Sequence, residues 1–129
     1  EKAFKKILSA LADEIYFEAI SPVPLPVLSF PKLEIIPHQR RVLLDKADIY
    51  LTRLEYGTLL YLASNPGIVL TQEQIFEAAW HMDSDSCHSS VVNVIYSLRK
   101  KIEPNSKNPT YIKTVLGVGY KFDVKRTGE

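Results

Sequence analysis

The side chains with most chemistry to offer sit in the last third of the chain. Arg99, Lys100 and Lys101 stand in a row at the end of a helical stretch, and the residues before them include the short hydrogen-bonding groups Ser89, Ser90, Asn93 and Ser97, together with Tyr96. Guanidinium and ammonium groups neutralise phosphates, a guanidinium can grip a guanine edge with two hydrogen bonds, and hydroxyls and amides bond phosphate oxygens or base edges. Lys113 and Thr114 add two phosphate candidates further on. The plainer reading of Lys100 and Lys101 is that cations at a helix C-terminus offset the helix dipole, and a polar face can simply be a solvated one.

A second cluster invites a metal. His81, Asp83, Cys87 and His88 place imidazole, carboxylate and thiolate groups close together. Structural zinc sites draw spaced pairs of ligands from two rigid elements, whereas this cluster spans a loop and a helix start, so no metal and no cofactor is expected. Cys87 is the only cysteine. It permits no internal disulfide, which fits a reducing, cytoplasmic compartment, with redox sensing by a helix-start thiol as a minor reading. No glycine-rich phosphate loop, nucleophile elbow or pair of carboxylates in an apolar setting is present, so the chain is not expected to be an enzyme.

A length of 129 residues suits one compact domain, and 46% hydrophobic with 24% charged residues excludes a disordered chain. No apolar run approaches the roughly 20 residues needed to cross a bilayer, and no secretory signal opens the sequence, so no membrane association is expected. The missing initiator Met points to an excised fragment. A net charge of +1 argues weakly against a nucleic-acid partner. Its distribution argues the other way: residues 1–85 hold 8 Lys and Arg against 12 Asp and Glu, while residues 86–129 hold 8 against 3. A basic end of this kind is what a phosphate-facing surface requires.

The elements that must position these groups follow from periodicity. Phe4, Ile7, Leu11, Ile15 and Ala19 recur at helical spacing, giving an N-terminal amphipathic helix over 1–20. The prolines at 22, 24 and 26 then forbid helix and mark 21–27 as a linker. Val27–Phe30, Leu33–Ile36, Arg41–Leu44 and Ile49–Leu51 read as four short strands, too closely spaced for parallel crossovers and hence an antiparallel meander. Thr52 with Glu55, and Thr71 with Gln74, are capping pairs that open two helices, the first ending at Asn65-Pro66-Gly67. Val91, Val94, Ile95, Leu98 and Ile102 mark a third helix that Pro104 stops, and Tyr111–Val115 and Tyr120–Val124 form a hairpin around Gly117 and Gly119.

Three helices followed by a hairpin constitute a winged helix-turn-helix, in which the third helix enters the major groove and the hairpin reaches the flanking backbone or minor groove. The residues themselves resemble the OmpR/PhoB family: Leu51-Thr52 with Glu55-Tyr56 and Leu59-Leu60, the run from Leu62 to Gly67, Leu70-Thr71, Ala79-Trp80, Leu98 to Ile102, and Thr114-Val115 with Gly117, Gly119-Tyr120 and Phe122. The resemblance runs from about Leu28 to Phe122. It implies an α+β domain over 28–125, with an N-terminal four-stranded antiparallel sheet, three helices and a C-terminal β-hairpin wing. It implies double-stranded DNA as partner, transcription regulation as the effector of a two-component-type response regulator, and homodimers on DNA. It also implies a recognition helix over 86–103 and a wing over 111–124. Ser89, Val94, Ser97, Arg99 and the wing-tip Leu116 stand where family members contact DNA, and the loop His81, Met82, Asp83, Ser84 and Asp85 stands where they touch RNA polymerase. Ser89 and Leu116 occupy positions where the family commonly has Arg, and Ser97 one where it has Arg or another polar residue, which leaves a second expectation open: a winged helix turned protein-interaction module, with weak or no DNA binding.

Overall fold

The computed structural model describes residues 26–80 and 90–127. The N-terminal helix over 1–20 and most of the linker over 21–27 lie outside them. The first described layer is a meander, β1 (Leu28–Phe30), β2 (Leu33–Ile36), β3 (Arg41–Leu44) and β4 (Ala47–Ile49), hydrogen-bonded in that order and antiparallel throughout. Strand alternation sends Leu28, Phe30, Leu33, Ile35 and Val42 to one buried face. The turns are as tight as the sequence spacing demands. Pro31-Lys32 joins Phe30 to its partner Leu33 with Lys32 at φ 65°, and Asp45-Lys46 joins Leu44 to Ala47 with φ of 54° and 67°. Two consecutive positive φ values are the mark of the hairpin turn whose twist matches its strands. This turn is why the fourth strand begins at Ala47 and not at the expected Ile49: pairing resumes directly after it, and Tyr50 and Leu51 lead into the next helix.

Helix α1 (Arg53–Ala63) begins at the expected capping box. The Thr52 amide donates to the Glu55 carboxylate at 2.9 Å, and the Glu55 amide donates to the Thr52 hydroxyl at 3.2 Å. Gly67, at φ 80°, turns the chain after it and donates its amide to the Phe122 carbonyl at 2.8 Å. A two-residue strand, β5 (Leu70–Thr71), precedes α2 (Gln72–Trp80), and Thr71 closes a second reciprocal box with Gln74 at 2.9 and 3.0 Å. Helix α3 (Val91–Ile102) is capped by the Ser90 hydroxyl, which accepts from the Asn93 amide. Strands β6 (Ile112–Val115) and β7 (Gly119–Phe122) form the hairpin, and β5 adds to its outer edge in the order β5-β7-β6.

The sequence reading missed β5. Its pairing with β7 has a strict requirement at Gly119, where a Cβ would lie 2.0 Å from the Leu70 carbonyl oxygen. Leu59, Leu62, Ile75, Ile95, Leu98, Ile102, Ile112 and Phe122 are fully buried between the helices and the two sheets. Each such side chain contributes about 1.5–3 kcal/mol relative to exposure. The sheets meet through aromatic rings: Phe30 packs edge-on against Phe122 at 4.8 Å, Tyr111 stacks on Phe122 at 5.9 Å, and the Tyr111 hydroxyl donates to the Pro31 carbonyl. Among the described residues no helix is long and apolar enough to cross a membrane.

Candidate nucleic-acid interface

Helix α3 divides cleanly into two faces. Val91, Val94, Ile95, Leu98 and Ile102 enter the core, while Val92, Asn93, Tyr96 and Lys100 are exposed and Ser97 is half-buried beside them. The expected groups Asn93, Tyr96, Ser97 and Lys100 therefore come together on one surface, with Ser90 at its start. Lys100 extends over the Tyr96 ring at 4.9 Å, a cation–π contact that keeps the ammonium against the helix surface.

Val94 is a correction. It is 7% exposed and part of the core, so its methyls pack inward and offer almost no surface to a duplex. A DNA-contact position taken from the resemblance has here become a packing position.

The cations behind the exposed face are already engaged. Lys101 Nζ donates to Glu55 Oε1 at 2.6 Å, the same oxygen that receives the Thr52 amide, so this ammonium fastens α3 to the start of α1. Lys113 lies 3.3 Å from the Asp123 carboxylate, and Lys121 lies 4.0 Å from its other oxygen. Arg99 spans helix and wing. Its Nε and Nη2 donate to the Ile112 carbonyl at 3.2 and 2.9 Å, Nη2 also donates to the Thr114 hydroxyl at 2.8 Å, and the guanidinium lies 5.7 Å from the centre of the Tyr120 ring. Arg99 and Thr114, both expected at a DNA surface, are thus joined to each other.

Glu103, which the sequence reading passed over, provides the second tie between helix and wing. Its buried carboxylate accepts from the Thr110, Tyr111 and Ile112 amides at 2.6–3.0 Å. Charge-assisted bonds of this kind are the stronger class, and three on one carboxylate set the angle at which β6 leaves α3. A Glu directly before a Pro that ends a helix, followed by a strand, was the only sequence signal for it.

At the far end of the hairpin the Val118 amide donates to the Val115 carbonyl, with Gly117 at φ 77°. The turn projects Leu116, which is 90% exposed. Between the wing and the start of α2 runs an open groove of about 520 Å³, lined by Thr71, Gln72 and Glu73 on one side and Thr114 to Tyr120 on the other. Val92, another residue the sequence reading passed over, stands exposed one helical turn before Tyr96. Ser89 and the loop His81, Met82, Asp83, Ser84 and Asp85 lie outside the described residues, as do Ser86, Cys87 and His88; the helix expected over 86–103 begins only at Val91, because Ser90, at φ −88° and ψ 159°, is extended and caps it.

Residues 46–122 match the family described as transcriptional regulatory protein, C terminal. The transcriptional regulatory protein SrrA of Staphylococcus aureus is 37% identical over 113 residues, which cover 87% of this chain and 47% of that protein. The chain thus spans about half the length of the curated relatives it matches. Among solved structures, the Klebsiella pneumoniae RstA DNA-binding domain in complex with the RstA box is 30% identical at a TM-score of 0.67, covering 77% of this chain and 98% of that one. The Thermotoga maritima response regulator DrrB, an OmpR/PhoB homologue, is 35% identical at a TM-score of 0.65, covering 75% of this chain and 44% of that one. The chain belongs to the transcriptional regulatory protein C-terminal family, the winged-helix effector domains of the OmpR/PhoB type.

Proposed function

We propose that this chain binds double-stranded DNA sequence-specifically and regulates transcription, with α3 in the major groove and the wing on the flanking backbone or minor groove. The observation that carries the proposal is the exposed face of α3, where Asn93, Tyr96 and Lys100 stand together and which Arg99 and Glu103 tie to the wing. A major groove admits one helix, and a rigid neighbouring hairpin adds the second contact that fixes register on the duplex. The RstA domain, solved on its DNA, supplies a precedent at a related fold and sequence.

The same reading extends to the longer protein. The chain would act as the effector half of a response regulator, binding as a homodimer on repeated half-sites and touching RNA polymerase through residues 81–85. The test is duplex binding measured across ionic strength. Counterion release makes the logarithm of the binding constant fall linearly with the logarithm of salt, by about 0.9 for each phosphate neutralised. A steep linear fall is expected. The wing tip favours one competing reading, because Leu116 offers a partner protein an apolar knob where a phosphate contact would want a cation. A protein-interaction module would leave every duplex unbound at low salt, and that outcome would overturn the DNA reading.

A further inference from the structure

From Val91, where α3 begins, through Leu98 the sequence holds no Lys or Arg. The part of the helix that would lie deepest in a major groove therefore lacks the side chains that most often read guanine, whose N7 and O6 both accept hydrogen bonds. Arg99 comes next in the chain, and its guanidinium is committed to the Ile112 carbonyl and the Thr114 hydroxyl.

What the helix does expose is a different set. Val92 and Tyr96, one turn apart, are 48% and 61% exposed, although five other positions of α3 already satisfy the core. Asn93 is exposed beside them, and among the described residues its carboxamide has no protein partner; only its backbone amide is used, on Ser90. In the major groove the apolar group available to such side chains is the C5-methyl of thymine, and the carboxamide is the side chain that matches adenine N6 and N7 with two bonds. The wing continues the pattern. Leu116 and Val118 flank Gly117 at its exposed tip, and both hairpin lysines are turned toward Asp123.

We propose that α3 reads an A·T-rich half-site, with Asn93 on adenine and Val92 and Tyr96 on thymine methyls. The inference rests on the duplex reading above and narrows it to a class of sequence. On the exposed face of α3 the phosphate-attracting cation is Lys100, further phosphate contacts fall to the rest of the domain, and discrimination comes from apolar and amide contacts whose strength is insensitive to salt.

The experiment uses the whole chain and a pool of duplexes randomised in the centre, followed by single replacement of each thymine in the selected duplex by deoxyuridine. That replacement removes one methyl and leaves pairing edges and phosphates intact. The expected result is A·T-rich centres and a loss of about fourfold in affinity at each contacted thymine, with an unchanged slope against salt. Val92→Ala, at an exposed position, abolishes the deoxyuridine effect at its own thymine. Selection of G·C-rich centres, or salt-sensitive binding indifferent to every deoxyuridine, overturns this inference alone. Failure to bind any duplex at low salt overturns the DNA reading beneath it.

Discussion

The two sheets of this domain are built by opposite means. The strand pairing of the N-terminal meander is local: each strand bonds the next through a turn of a few residues, and two of those turns bond each other, the Asp45 amide donating to the Lys32 carbonyl at 2.8 Å. The C-terminal sheet depends on partners far apart in the chain. It is completed by β5 from beyond the first helix, needs Gly119 to let Leu70 approach, and is held to α3 by the Arg99 and Glu103 side chains. The difference teaches where this fold can be adjusted without loss of its scaffold. The strands of the meander complete their pairing within residues 28–49, and the angle between α3 and the wing is set by two side-chain ties.

The largest expected effect comes from Gly119→Ala. A methyl 2.0 Å from the Leu70 oxygen cannot be accommodated by rotating a side chain, because the obstacle is backbone. A loss of about 3 kcal/mol or more in thermal or denaturant unfolding is expected. Stability within 1 kcal/mol, as an order of magnitude for a tolerated change, would show that β5 is dispensable.

Next is Glu103→Ala, which strips the acceptor from three amides at the helix–wing junction. Leaving such donors unmet costs about 2–3 kcal/mol. Amide exchange would locate the damage: faster at residues 110–112, unchanged in the meander.

Arg99→Ala sharpens the comparison further, because it loosens the tie from the wing side while leaving the core residues in place. Duplex affinity is expected to fall about tenfold, or ~1.4 kcal/mol, with folding retained. As Arg99 bonds Ile112 and Thr114, the slope against salt should stay as in the parent and Thr114→Val should add little to the loss in the double variant. A slope reduced by about 0.9 would make Arg99 a phosphate contact instead.

The smallest effect is expected at the seam between the sheets. Tyr111→Phe removes one hydrogen bond to Pro31, worth about 1 kcal/mol. Burial first, then the carboxylates of Glu103 and Asp45, push the Tyr111 hydroxyl above the ordinary phenol range, and burial does the same to Tyr56. The folded state thus holds these protons more tightly than the unfolded chain. Their contribution is fully present below the unfolded phenol pKa of about 10 and is lost as pH rises past it. Tyr111→Phe should therefore flatten part of the alkaline decline in melting temperature; an unaltered decline would exclude Tyr111 as its source.

The same contrast explains what could be read from the residues alone. Alternating apolar residues and Pro or Asp-Lys punctuation are local signals, so the four strands were legible, with an error only where the positive φ of Asp45 and Lys46 let β4 start early. Both Thr-led capping boxes and the stripe of α3 were equally plain. β5 was invisible because two residues carry no period, and its partner is chosen by the missing side chain of Gly119. In the site, residue types were legible and their engagements were not. Lys101 looks like a free cation until Glu55, 46 positions earlier, is seen beside it. Arg99 bonds a backbone carbonyl, which no sequence pattern reports. For Val94 the resemblance points to DNA while the spacing points to the core, and the core prevails; Val92, off the core stripe, carries no sequence signal beyond its spacing.

The most direct test of the account is backbone amide mapping by NMR as duplex is added to the intact chain. Shifts are expected at Ser90, Val92, Asn93, Tyr96, Ser97 and Lys100 on α3 and at residues 114–118 of the wing, with the β1–β4 meander silent. Shifts gathered on the meander, with α3 and the wing unmoved, would contradict it.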